Sequence, residues 1–147
     1  MQTVWILAAD NSRVRIFQEK DHQHHLLEVQ DFAHPAGHAS GRELETGAKG
    51  RFYGKGERSQ ANTAEPNVDS VQHENELFSK EIGEFLEQAR NEHRYNKLHV
   101  IAPPKFLGML RKNLHKETQK LVGEEIAKDI AWEGKKQIEE FVRTQKL

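Results

Sequence analysis

The chain has no cysteine among its 147 residues. That excludes a disulfide framework, a thiolate nucleophile and a zinc site built on cysteine, and it fits a reducing compartment. No apolar run approaches the ~20 residues needed to cross a membrane. The N-terminus also lacks the basic flank, apolar core and small-residue cleavage site of a signal peptide. A cytoplasmic protein without membrane association is the expectation. Charge of one sign is missing as well: 22 Lys and Arg face 23 Asp and Glu, a formal net charge of -1. No global field therefore draws the chain to nucleic acid, and polyanion binding would need a local patch.

Catalytic and cofactor motifs are equally scarce. There is no Gly-x-Ser-x-Gly elbow, and no serine stands where a strand turns into a helix. Gly54-Lys55-Gly56 follows no strand and opens no helix, so it is neither a Walker loop nor a dinucleotide fingerprint. Glu124-Glu125 and Glu139-Glu140 are carboxylate neighbours without the pocket that would separate their pKa values. His22, His24 and His25 cluster in a turn beside Asp21 with no fourth ligand at zinc spacing. His73 and Glu76 are three apart on a helix, where an exposed face explains them better than a metal. The sequence assigns no catalytic residue, metal or cofactor. The expectation is a non-enzymatic protein.

What is present reads as one α/β domain over residues 1–147, with 35% hydrophobic residues to build its core. Leu98 to Ile101 is a short buried strand, ended by Ala102-Pro103-Pro104 because proline gives a sheet no N–H. Pro104 suits the first turn of a helix. Phe106, Leu107 and Leu110 follow at helical spacing. Strand, turn and helix in this order form the unit on which α/β sheets carry function.

Earlier, Thr3 to Ala9 predicts a buried strand and Asp10-Asn11-Ser12 a turn. Arg13 to Glu19 alternates, with Val14 and Ile16 opposite Arg13, Arg15 and Phe17, which predicts a hairpin with one face half-exposed. Leu26 to Phe32 makes a third strand of an antiparallel meander. Residues 34–67 carry six of the glycines and lack periodicity, predicting a long flexible loop. Asp69 or Ser70 can cap the next helix, on which Val71, Phe78, Ile82, Phe85, Leu86 and Ala89 trace one apolar stripe. Leu114 to Leu121 could extend the second helix or form a separate turn. Val122 to Ile130 fits helix or edge strand by pattern. Topology favours a strand beside the fourth, with Glu133 to Gln145 as a last helix over the sheet. The result is a single mixed sheet of about five strands covered by helices.

Basic clustering is the strongest binding signal. Lys105, Arg111, Lys112, Lys116 and Lys120 lie close together, opposed by Glu117 alone. Arg42, Lys49, Arg51, Lys55 and Arg58 lean the loop basic, and Phe52 and Tyr53 offer rings for base stacking. Such residues on one face can bind structured RNA by counterion release even at neutral net charge.

Several stretches carry a resemblance. They are Ala9-Asp10-Asn11-Ser12-Arg13-Val14-Arg15-Ile16-Phe17, His34-Pro35-Ala36-Gly37, Arg42-Glu43-Leu44 and Val100-Ile101-Ala102-Pro103-Pro104-Lys105-Phe106-Leu107-Gly108-Met109-Leu110-Arg111. Together they resemble the bacterial host attachment protein family over nearly the whole chain. Glu125-Ile126-Ala127-Lys128-Asp129-Ile130 is similar to that family's closing strand. The family in turn resembles the middle domain of archaeal and eukaryotic class 1 peptide-chain release factors, which implies a ribonuclease-H-like sheet. There a loop Gly-Gly-Gln reaches peptidyl-tRNA; this chain has Gly54-Lys55-Gly56 and Gln60 instead. The resemblance thus implies the fold and a ribosome- or RNA-facing loop, without hydrolysis. The family name implies attachment to host cells, which a surface or secreted protein would perform directly and a cytoplasmic one through other factors. A hydrolase with its site near Asp10 and Pro103 is the third reading.

Overall fold

The structure is a computed structural model that describes residues 2–21, 23–34 and 64–147. Strands β1 (Val4–Ala9), β2 (Arg13–Glu19) and β3 (Leu26–Ala33) precede helix α1 (Ala64–Asn91). Strand β4 (Lys97–Ala102), helices α2 (Pro104–Asn113) and α3 (Lys116–Lys120), strand β5 (Val122–Ala127) and helix α4 (Lys135–Gln145) complete the order. The sheet runs β3-β2-β1-β4-β5. β2 is antiparallel to β1 and β3, and β4 is parallel to both β1 and β5. This is the α/β architecture that the sequence implied, with the meander on one side and β5 beside β4. The order is compatible with a ribonuclease-H-like sheet.

Alternation along the strands splits the core into two layers. Trp5, Leu7, Val14, Ile16, Leu98 and Val100 meet Phe78, Ile82 and Leu86 of α1 and Phe106, Leu107 and Leu110 of α2. Ile6, Ala8, Phe17, Leu26 and Ile101 meet Ile138 and Val142 of α4 on the opposite face. Trp5 stacks on Tyr95 at 4.8 Å, and the Tyr95 hydroxyl donates to the Leu86 carbonyl at 2.7 Å, tying the end of α1 to the sheet. Burial pushes the Tyr95 phenol up to about 12.

Three expectations are corrected. The hairpin is not half-exposed: Arg15 and Phe17 are buried, because the segment leading into α4, and α4 itself, cover that face. The first long helix starts at Ala64, so Asp69 and Ser70 lie inside it and do not cap it. Pro66 falls in its first turn, where proline is tolerated. The loop expected over 34–67 therefore ends by residue 63. Its flexibility, together with Arg42, Lys49, Arg51, Phe52, Tyr53, Lys55 and Arg58, lies outside the described residues. Leu114 to Leu121, which the sequence left open between an extension and a separate turn, holds the separate short helix α3.

Candidate functional site at the carboxyl edge of the sheet

β1, β3, β4 and β5 all run the same way and end at one edge of the sheet. In open α/β sheets this edge is where ligands bind. Asp10 follows β1. Its Oδ1 accepts the backbone N–H groups of Ser12 at 2.8 Å and Arg13 at 2.9 Å, the self-capping turn that a short carboxylate makes. Its Oδ2 accepts the indole N–H of Trp132 at 2.8 Å. Both oxygens are thereby committed to structure, which leaves a hydrolase reading little at Asp10.

Trp132 stands between β5 and α4 and is 59% exposed. The Arg13 guanidinium lies 4.8 Å from its ring centroid, itself held by two hydrogen bonds to Asp31 at 3.1 and 2.8 Å. Beneath, buried Arg15 pairs with both oxygens of Glu28 and donates Nη1 to the carbonyls of Ala131 at 3.1 Å and Glu133 at 2.7 Å. The backbone on either side of Trp132 is thus pinned to β2. An exposed aromatic is held rigid by residues from three elements. Nearby, burial and then the charges of Asp10 and Glu133 raise the pKa of Asp129, so carboxylates as well as Arg13 lie around the ring.

On the other side of the edge, His34 follows β3. Its backbone N–H donates to the Ser12 carbonyl at 2.8 Å. Its ring stacks on Phe78 at 4.5 Å and 8°, with Nε2 3.2 Å from Asn75 Oδ1. From here the chain passes into the segment that carries half of the basic residues picked out in the sequence. Lys105 lies on the same edge, exposed at the start of α2 after Pro103-Pro104.

The other predicted cations sit elsewhere. Arg111 pairs with Glu125, and Lys112 with Glu76 at 3.3 Å. Lys116 opens α3 and is exposed. An open depression of about 360 Å³ beside β5 is lined by Arg111, Gln119, Val122, Gly123 and Glu125, and its two charges already satisfy each other. His24 and His25 bind Glu19 at 3.1 Å and Asp21 at 2.9 Å separately, while His22 lies outside the described residues. Among the described residues no three histidine, aspartate or glutamate side chains converge on a metal position.

Residues 5–142 match a family model described as protein required for attachment to host cells. The chain belongs to the host attachment family. No curated protein matches it at a significant level. Host attachment family membership supports a role in host attachment, and the match runs from the core of β1 into α4, so it includes every residue of the carboxyl edge.

Sequence reasoning missed Trp132, Arg13 and Arg15 as parts of one site. Their one visible signal was a tryptophan with no apolar partner at helical spacing, flanked by Asp129, Glu133, Lys135 and Lys136.

Proposed function

We propose that this host attachment family protein is a non-enzymatic, cytoplasmic factor that binds the ribosome or structured RNA through the carboxyl edge of its sheet. Its effect on attachment would then be indirect. One placement supports the reading: Lys105, the exposed Trp132 ring and the point where the chain enters the basic segment with Arg42, Lys49, Arg51, Lys55 and Arg58 all follow strands that end at this edge, Lys105 on the face covered by α1 and α2 and Trp132 on the face covered by α4. A rigid exposed ring can stack on an unpaired base, and lysines and arginines around it can meet phosphate. The carboxylates beside Trp132 mean that phosphate is met by Lys105 and the basic segment, not at the ring. The likeness to the release factor middle domain supports the same direction, and without a Gly-Gly-Gln no peptidyl-tRNA hydrolysis follows.

The test is co-sedimentation of the purified protein with 70S ribosomes and separate subunits at about 50 and 200 mM salt. Retention at the higher salt, lost on deleting residues 47–60, is expected. Absence of binding at both salts would overturn the reading. The family description favours a second possibility, direct attachment at the cell surface. Protease treatment of intact cells that removes the protein while sparing a cytosolic marker would establish it.

A further inference from the structure

β5 is an outer strand of the sheet, paired on one side only among the described residues. Its pairing with β4 is irregular. Leu98 faces Val122, but Val100 faces Glu125, so two residues of β4 span three of β5. The extra residue makes a bulge, and a bulge leaves one ladder N–H without its strand partner. Here that donor has a substitute: the Glu124 N–H donates to Nδ1 of His99 at 3.1 Å. His99 is the β4 residue at the middle of the shift, and it is 4% exposed.

Gly123 makes the arrangement possible. A Cβ there would lie 2.7 Å from Cε1 of His99 and 2.6 Å from Cε of Lys97. With glycine the bulge closes against the imidazole edge. The bond also fixes the tautomer. Nδ1 must offer its lone pair, so the proton sits on Nε2 and the ring must be neutral.

We propose that His99 is a pH-sensitive latch, whose neutral imidazole holds the bulged first half of β5 to the sheet and whose protonation releases it. The imidazolium carries a proton on both nitrogens and cannot accept the Glu124 N–H. Two donors would then face each other with the imidazole buried, and the bulge opens at this partly buried contact to separate them.

The charges acting on the ring come from three strands. Lys97 on β4 opposes protonation, while Glu19 on β2 and Glu124 on β5 favour it. Burial opposes it most strongly, and the net effect lowers the pKa of His99 below the ordinary 6.5. A lowered pKa means that the latch's contribution is complete above about 6.5 and is lost as pH falls through the folded value. The released strand would be an edge strand freed over its first half, the element of a sheet most able to pair with another chain.

The experiment is amide hydrogen exchange of the full chain at about pH 7.5 and pH 5, corrected for intrinsic rates, with the His99→Gln variant in parallel. A glutamine carbonyl oxygen can accept the same N–H and does not titrate. Protection of residues 122–125 should fall about fivefold to tenfold relative to β1 in the natural chain at the lower pH, the worth of one lost hydrogen bond. It should stay constant in the variant. Equal pH dependence in both proteins, or a loss spread evenly over the sheet, would overturn the proposal. Because His99→Gln could fail to fold, nitrogen chemical shifts of His99 in the natural chain provide the second reading. A lone pair on Nδ1 at neutral pH supports the latch, and a proton there removes it.

Discussion

The indole N–H of Trp132 donates to Oδ2 of Asp10 at 2.8 Å, joining residues 122 positions apart. The bond turns the ring so that one side faces Arg13 and the indole stays largely in solvent. If the edge binds unpaired bases, Trp132→Ala should weaken binding of a single-stranded RNA oligonucleotide about tenfold, the worth of one stacked base. Its effect on stability should stay near 1 kcal/mol, because an exposed ring buries little. Fluorescence polarisation and urea unfolding measure the two separately. Unchanged affinity would detach Trp132 from the binding face.

Lys105, Arg111 and Lys112 of α2 should not be equivalent. Lys105 lies at the edge, whereas Arg111 and Lys112 already have Glu125 and Glu76. Lys105→Ala should lower the slope of log affinity against log salt by about 0.7, one phosphate on a single strand. Arg111→Ala and Lys112→Ala should each lower it by less. Equal slopes for all three variants would mean that the ion pairs open on binding.

Arg15 ties three pieces of chain together: β2, Glu28 of β3, and the carbonyls of Ala131 and Glu133. Arg15→Met should cost about 3 kcal/mol, since it strands a partly buried carboxylate and two carbonyls. Adding Glu28→Gln should recover part of that loss. Urea unfolding of the single and double variants checks both, and Trp132 emission should shift in the single variant as its backbone loosens.

Two helical glycines should respond in opposite directions to alanine. At Gly83 of α1 a Cβ would lie 2.3 Å from the Asn113 carbonyl oxygen, backbone that cannot rotate away. Gly83→Ala should destabilise by about 2 kcal/mol as α1 and α2 are forced apart. At Gly108 of α2 nothing lies within 4 Å. Gly108→Ala should therefore gain up to about 1 kcal/mol from helix propensity and the unfolded chain. Thermal melts of the pair measure both effects.

Strands and helices were readable wherever a single period dominated. Val4 to Ala9, the Phe78–Ile82–Leu86 stripe and the Pro103-Pro104 break each announce themselves locally. The β5 segment was ambiguous by period, and the place left beside β4 decided it. The start of α1 was missed because Pro66 reads as a loop breaker in a glycine-rich stretch, although a helix accepts proline in its first turn. Arg13, Arg15 and Phe17 read as an outer face because alternation with arginine looks the same whether or not another element covers it.

The sequence by itself determined most of the elements, their order, the α/β class and the absence of cysteine chemistry, because periodicity, turn residues and composition are local properties. Only the tertiary structure decided which charges are paired among the described residues. Arg111, Lys112 and Lys105 look alike in a string, and they differ because Glu125 and Glu76 arrive from other elements. It also decided that Trp132 would meet Asp10 and Arg13, and that His99 would fill the gap left by an extra residue in β5. Such pairings depend on distances across the sheet, which spacing along the chain does not encode.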